Sequence, residues 1–593
     1  MITAYKETKE FLQKQMNGLT GHIEVACYPF DSVEWGQADN IGKDSLYGWG
    51  DTWWAYEQTA YWVDGYTRCA IALNDKELLK RTEKMIYNVL NNADEDGYLG
   101  PKFLKDIQGG STRWAHVVFF RAVMALYGYN GDETILEKMT KHYLGYPVDY
   151  ASGRNILNVE MMLWLYERTG NAELLRLAEE NYARYNENNK TSYYSDTFAL
   201  SNALPTGNKK NLEGAHGVSY NEYSKLGAIL YKYTGKEDYL KASIAAYKKI
   251  DKHYMLVDGL HNCAEKLISN APDRQHETCN ITDFSWSQNY MFEASGNTEY
   301  LDKIEKCVWN AGLGAVTEDF KALQYFSGVN QVVLDDEAYA GEAYRGAAYK
   351  PAPYVQCCIG NVNRFMPNYI LNSWKKKGED VYLKLFCSSV FKEGGITITE
   401  RTKYPYENTV SLTIKTKKAF RLHLRLPKWN EGYTVCVDGK QVSCARKSGF
   451  LILPIEGDCS VEYKIECSVV KHTEKDYVWF SKGAMVYTHK VESLQKVDKG
   501  EKRSSEEFPA YLIYPIGKWN YGIADNGELK EENGRLYVEA YEVENWRLKI
   551  DGQRTRLPAP PKKPIKAYDE AKWIELTPYG LSECRITAFA RIK

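Results

Sequence analysis

Over the first two thirds of the chain, apolar positions recur with a helical period. KELLKRTEKMIYNVLNN from Lys76, ETILEKMTKHYLGY from Glu133, AELLRLAEENYARYNE from Ala172 and DYLKASIAAYKKIDKHYM from Asp238 place them at i, i+3, i+4 and i+7. A short signature stands at the head of such helices: NDKELL at Asn74, GDETIL at Gly131, GNAELL at Gly170, GKEDYL at Gly235 and GNTEYL at Gly296. A small or polar residue makes the turn, and an acidic residue follows near the helix start. The segments before the turns, VEMMLWLYERT and YSKLGAILYKYT among them, also read as helices, so the unit is helix, turn, helix. Its recurrence at roughly 40 to 65 residues fits one helix pair per repeat. The pattern predicts a mainly α region closed into a toroid of about six hairpins, an (α/α)6 barrel, with an open solenoid as the alternative.

After about Lys377 the period changes to two. TVSLTIKTKKAFRLHLRLPKW alternates apolar and polar residues, and YTVCVDGKQVSC carries Asp438-Gly439 between two alternating runs, a hairpin mark. SVEYKIE and GRLYVEAYEV continue the alternation, and RLPAPPKKP is a proline-rich connection. The expected organisation is a helical barrel over 1–377 and a C-terminal β-sandwich region over 378–593, the latter supporting or docking on the former.

Charge and composition narrow the partners. The formal net charge is -2, so no basic excess calls for nucleic acid, and no basic amphipathic tail calls for a membrane surface. No apolar run reaches the roughly 18 residues of a membrane span. The first residues, MITAYKETKEFLQKQMNGL, lack a signal peptide's apolar centre. The 13 cysteines are odd in number and scattered, which points to free thiols in a reducing compartment, the cytoplasm. The 47 tyrosines and 15 tryptophans offer flat faces suited to sugar rings, although most such rings serve packing. That holds for Trp49, Trp53 and Trp54, which lie on an aromatic stripe of a kind more often found in cores.

Two segments carry candidate chemistry. HNCAEKLISNAPDRQHETCNITDFSW (His261 to Trp286) contains Glu265, Glu277 and Cys279, and YVQCCIGNVNRF (Tyr354 to Phe365) contains Cys357 and Cys358. Adjacent cysteines rarely bond each other, since a disulfide needs well-separated, correctly aimed Cα atoms. Zinc takes thiolate and carboxylate ligands in sets of four, and one glutamate with three cysteines would complete such a set. Spacing alone is a weak signal, because no CxxC pair is present and free cysteines are commonly buried as small apolar residues.

The Glu-x-Cys at Glu277 to Cys279, the later QCCIGNVNRF and the helical-then-β order resemble glycoside hydrolase family 127, the β-L-arabinofuranosidases. GAHGVSYNEY at Gly214, ALQYFSGVN at Ala322 and FRLHLRLPKW at Phe420 add to the likeness. The resemblance implies an (α/α)6 barrel with β-sandwich material after it. It implies zinc held by Glu277, Cys279, Cys357 and Cys358, with Cys357 also the nucleophile and Glu265 the general acid/base. His216 in GAHG matches a histidine that contacts the sugar. An HE pair expected early in the barrel is replaced by STRWAH, which makes His116 the substitute candidate, and Tyr325 in LQYF is a candidate lining residue, though packing is the commoner fate of such a tyrosine. Where the family often has two prolines after the cysteine pair, this chain has Ile359 and Gly360, a change expected to loosen the turn.

The implied activity is retaining hydrolysis of a terminal L-arabinofuranose, or a related furanose or deoxy sugar, from a small carbohydrate substrate. Glu265 would protonate the leaving oxygen and later deprotonate water. A carbohydrate-binding protein with a structural zinc, and another toroid sugar enzyme such as a lyase or epimerase, are the competing expectations. A homodimer is left open.

Overall fold

A computed structural model describes residues 1–26, 35, 54–107, 109–146, 148–189, 215–339, 346–353, 357–562 and 564–593. The helical hairpins fall where the turn signatures put them. Helix Trp54–Leu73 is followed by Lys76–Asn91, Trp114–Asn130 by Glu133–Gly145, and Val159–Thr169 by Ala172–Asn188. Gly217–Ser224 and Leu226–Thr234 are followed by Glu237–His253, and Thr278–Ser295 by Glu299–Lys306.

Turn chemistry explains the recurrent signature. Gly131, Gly170, Gly235 and Gly296 each end the first helix in the left-handed region, at φ 67, 67, 67 and 69°, and each returns its N–H to a carbonyl of the last turn. Asn74 takes the corresponding place in the first hairpin at φ 54°. The next residue caps the second helix: Asp75 accepts from the amides of Glu77 and Leu78, Asp132 from Thr134, and Asn171 from Glu173. A Cβ added at Gly170 would meet nothing within 4 Å, so only its backbone conformation opposes a side chain. Gly170→Ala is therefore expected to cost about 1 kcal/mol in chemical denaturation. No loss of stability would show that this turn relaxes without strain.

The first helices of successive hairpins pack on one another. Trp54–Leu73 lies against Trp114–Asn130, which touches Val159–Thr169, which touches Leu226–Thr234, which lies against Thr278–Ser295. The circuit returns through helices Cys357–Val362 and Phe365–Leu371, both packed on Trp54–Leu73, with the N-terminal helix Glu7–Asn17 beside them. The inward helices are buried almost all round; in Trp114–Asn130 the run from Trp114 to Val123 is buried without a break, as expected of helices enclosed on both sides.

The remainder is β-rich. A seven-stranded sheet and a five-stranded sheet share one apolar core, including Val381, Ile398, Leu412, Leu422 and Leu453. Thr409–Thr416 alternates buried and solvent-facing residues as its sequence predicts. Asp438 and Gly439 turn Gly432–Val437 back onto Lys440–Gln441 with φ of 48 and 77°. The seven-stranded sheet begins with Ile2–Ala4, paired to Ser389–Glu393, and strand Trp374–Lys377 already pairs with Asp380–Leu383. A nine-stranded sheet follows, built around a second core that includes Val332, Leu334 and Tyr349 from the helical part. The C-terminal part therefore holds two separately packed β units. The proline-rich RLPAPPKKP lies in the connection between two neighbouring strands of the nine-stranded sheet, Arg535–Val543 and Ala567–Pro578.

Candidate functional site

Helix Thr278–Ser295 starts directly after a strand, Gln275–Glu277, which pairs with Phe326–Gly328. Glu277 is the residue at the helix boundary and Cys279 lies in the first turn. Cys357 and Cys358 open the short helix Cys357–Val362, packed against Thr278–Ser295. This junction brings one ligand atom each from Glu277, Cys279, Cys357 and Cys358 within 4.8 Å of one another. Cys279 Sγ is 3.5 Å from Cys358 Sγ, and Cys358 Sγ is 4.0 Å from Cys357 Sγ. Glu277 Oε1 is 3.5 Å from Cys357 Sγ and 3.8 Å from Cys358 Sγ. A tetrahedral ion with metal–sulfur bonds of about 2.3 Å sets sulfurs roughly 3.8 Å apart, so this donor set fits zinc in both chemistry and spacing.

The four donors are not equivalent. Glu277, Cys279 and Cys358 are buried, whereas Cys357 is partly open. Burial drives the Cys279 and Cys358 thiols well above the ordinary range. Burial pushes Cys357 up too, but contacts from Cys279, Cys358 and Tyr325 outweigh it and hold Cys357 well below that range. The open sulfur is thus the one favoured as thiolate.

Tyr325 joins this sulfur to the expected acid. Its hydroxyl donates to Glu265 Oε1 at 2.9 Å and lies 3.2 Å from Cys357 Sγ. Burial, then the charges of Cys357 and Glu265, raise its own pKa well above the phenol range, so it stays a donor. Glu265 has φ 65°, a conformation a side-chain-bearing residue holds only when its surroundings enforce it. His216 caps helix Gly217–Ser224, its Nδ1 accepting from the Ser219 amide at 3.2 Å, which leaves Nε2 to face Glu265 Oε2 at 3.3 Å. His216 is therefore both a helix cap and a neighbour of Glu265.

His116 does not join this group. It is fully buried, stacked on His142 and edged by Trp35, Tyr98 and Phe120, with Nε2 at 3.0 Å from the Leu99 carbonyl. That aromatic enclosure leaves no face for a sugar, so its expected substrate contact is corrected to a packing role. Ile359 and Gly360 are buried inside helix Cys357–Val362, not in a loosened turn. Trp49 and Trp53 lie outside the described residues.

Residues 23–370 match the family described as β-L-arabinofuranosidase, GH127 catalytic domain, and residues 380–462 its middle domain. The chain belongs to the GH127 family. A curated relative, the non-reducing end β-L-arabinofuranosidase of Bifidobacterium longum subsp. longum, is 23% identical over 270 residues, 42% of this chain and 37% of that protein. The match thus spans little more than a third of the curated relative's length. Among solved structures, a GH127 β-L-arabinofuranosidase from Geobacillus stearothermophilus T6 aligns over 99% of this chain and 97% of its own at 15% identity, with a TM-score of 0.69. A second GH127 β-arabinofuranosidase aligns over 100% and 96% at 15% identity, with a TM-score of 0.70. These likenesses show the GH127 fold: a helical toroid followed by a β-rich region.

Around the GH127 cluster stand residues that no local motif announces. Cys263 Sγ approaches Glu277 Oε2 at 3.9 Å. Glu57, on helix Trp54–Leu73, accepts from Tyr61 at 3.0 Å, from Trp114 Nε1 at 2.5 Å, and has Arg154 at 3.7 Å. Burial lifts its pKa to about 7, against Arg154 and with help from the charge of Cys357. Asn361, one turn after the cysteine pair, donates to Asp283 Oδ2 at 3.0 Å and accepts from Arg364 at 2.7 Å, tying the two ligand helices together. The polar tail of QCCIGNVNRF is thus a clamp beneath the sulfurs.

Proposed function

We propose that this chain is a retaining glycosidase that removes a terminal L-arabinofuranose, or a related furanose or deoxy sugar, from small oligosaccharides or glycoconjugates. Supporting this reading, the Tyr325 hydroxyl stands between the Cys357 sulfur and the Glu265 carboxyl, within hydrogen-bond reach of both. Retaining enzymes need such a pair flanking one anomeric carbon, about 5 Å apart when both are carboxylates. Six hairpins, the sixth made from Cys357–Leu371 and the N-terminal helix, would make the toroid an (α/α)6 barrel. We assign the catalytic unit to residues 1–377 and the supporting β region to 378–593.

Glu277, Cys279, Cys357 and Cys358 would hold zinc, which when bound supplies positive charge that keeps the cysteines ionised. In the first step Glu265 gives its proton to the glycosidic oxygen while the Cys357 sulfur bonds the anomeric carbon and the C–O bond breaks. In the second, Glu265 takes a proton from water, the water oxygen bonds the anomeric carbon, and the C–S bond breaks to restore Cys357. Tyr325 orients both groups, and His216 steadies Glu265 and is placed to meet a sugar hydroxyl. A purely structural zinc favours four buried ligands. The partial opening of Cys357 favours the catalytic reading instead. The free cysteines of the described residues accord with a cytoplasmic setting, and no described helix is long and apolar enough to cross a membrane.

The test is a zinc-replete screen against aryl pentofuranosides and deoxyhexosides, with Glu265→Gln beside the parent. Glu265→Gln is expected to lower kcat/KM by about 10²–10⁴-fold on poor leaving groups while zinc content stays at the parent level. Equal activity in that variant would remove Glu265 from its role. A parent that cleaves no member of the panel would remove the glycosidase reading.

A further inference from the structure

The strand that delivers Glu277 is three residues long; it pairs with one strand of equal length and has a single further backbone bridge, from Cys263 to His276. A two-stranded ribbon of that size is marginal by itself and needs outside support to hold a side chain in register. Successive side chains on a strand point to opposite faces. Glu277 faces the cysteines, and its neighbour His276 faces away from them.

His276 is fully buried, and its contacts lead out of the helical domain. Its Nε2 lies 2.6 Å from Asp258 Oδ2, and its Nδ1 lies 3.2 Å from the Ser327 hydroxyl on the partner strand. The same Asp258 oxygen accepts the Tyr579 hydroxyl at 2.9 Å. Tyr579 belongs to a turn beside the nine-stranded sheet, 321 residues further along the chain. Arg585, from strand Arg585–Ile586 of that sheet, donates to Tyr579 Oη at 2.8 Å and to the Gly328 carbonyl at 3.0 Å, and its guanidinium stacks 4.0 Å from the Tyr579 ring centre. Asp258, His276, Tyr579 and Arg585 are all fully buried. Gly314 makes room for them: a Cβ there would stand 2.5 Å from the Tyr579 ring.

We infer that Tyr579 and Arg585 of the second β unit are positioning residues for the metal-binding carboxylate, acting through Asp258 and His276 on the ribbon that carries Glu277. The cluster is then assembled by two parts of the protein. The helical toroid brings the sulfurs, and the distal sheet fixes the height and rotation of the strand bearing the carboxylate. Tyr325 immediately precedes the other strand of this ribbon, so the same support sets the hydroxyl between Cys357 and Glu265. Polar and charged groups taken out of water without close partners are costly. Four such groups in one chain, each satisfied by the next, hold one arrangement and disfavour slippage. Partners beyond a metal's own ligands characteristically tune affinity by 10–100-fold.

This inference rests on the zinc reading above, and its test separates the two. The full chain is titrated with Zn²⁺ alone against a competing chelator, and with Co²⁺ to read the sulfur-to-metal absorption band. Tyr579→Phe keeps the ring and removes the hydroxyl, and Asp258→Asn keeps the shape and removes the charge. Each is expected to weaken Zn²⁺ about 10–100-fold and to shift the Co²⁺ band, with kcat falling more than KM rises. Leu581→Ala, an exposed change in the same turn, is expected to bind like the parent. Parent-like Zn²⁺ affinity and an unchanged Co²⁺ band in both Tyr579→Phe and Asp258→Asn would overturn the inference, even where their melting points fall. A parent chain that binds no Zn²⁺ would instead overturn the metal reading beneath it. If one variant does not fold, the other decides.

Discussion

Replacing Cys357 by alanine is expected to lower glycoside cleavage by about 10⁴-fold or more, the scale of loss seen when a covalent nucleophile is removed. The sulfur is the one member of the cluster open to a ligand and the one favoured as thiolate. Cys357→Ser tests the chemistry more sharply, because it retains a donor atom but exchanges a good nucleophile for a hydroxyl with little tendency to ionise. Its activity should fall nearly as far, while zinc content falls less than in Cys279→Ser, where a buried ligand is lost. The intermediate itself can be caught. With Glu265→Gln and an activated aryl furanoside, the first step needs little acid help whereas the second still needs a base, so intact mass spectrometry should show one added pentose residue on Cys357. Undiminished turnover in Cys357→Ser, or an adduct mapped to another residue, would sink the assignment.

What could be foreseen from the amino-acid order divides by the range of the interaction. The hairpin turns were legible because their physics is local: a left-handed glycine or asparagine, then a capping side chain, within six residues. The Asp438-Gly439 hairpin and the alternating strand Thr409–Thr416 were legible for the same reason. The donors of the cluster came from short motifs with a family likeness, and their convergence on one point needed the fold. Other features had no local mark. Asp258 and Tyr579 are 321 residues apart, and neither stands in a patterned motif. His116 misled because most of the rings that enclose it, Trp35, Tyr98 and His142, arrive from elsewhere in the chain. The second β unit was hidden because alternation identifies strands without saying which sheet, or which core, they join. Charged residues within helices present the same difficulty, since a solvated face is the ordinary inference and burial is visible only in three dimensions.

Arg121 is the clearest case, and its removal should be the most destabilising single change outside the cluster. It is fully buried in helix Trp114–Asn130, with its guanidinium 2.7 Å from Glu160, 2.7 Å from Glu222 and 3.8 Å from Asp283. Lys225 sits 3.1 Å from Glu160 and also pairs with Glu222, while Arg364 reaches Asp283 at 3.2 Å and Asp64 at 2.7 Å. Without Arg121, Glu160 and Glu222 would share one lysine in a dry interior. Arg121→Met is therefore expected to cost about 3–5 kcal/mol in urea unfolding followed by helical circular dichroism. Arg121→Lys should recover only part, since a single ammonium cannot span three carboxylates as a planar fork does. The deficit should also depend on pH. Asp283 is already lifted to about 6, by burial first and then by Glu222. An acid whose folded pKa is raised binds its proton more tightly in the folded state, so the stability it confers is complete below its unfolded pKa and is lost as pH rises through about 6. Arg121 opposes that rise, so Arg121→Met removes a counter-charge from these carboxyls, and the shortfall should narrow between pH 7 and pH 5. A deficit below about 1 kcal/mol, or one that widens in acid, would mean that these buried charges do not depend on Arg121. Because Asp283 also clamps Asn361 beneath the cysteine pair, the same variant should weaken zinc even where the fold survives.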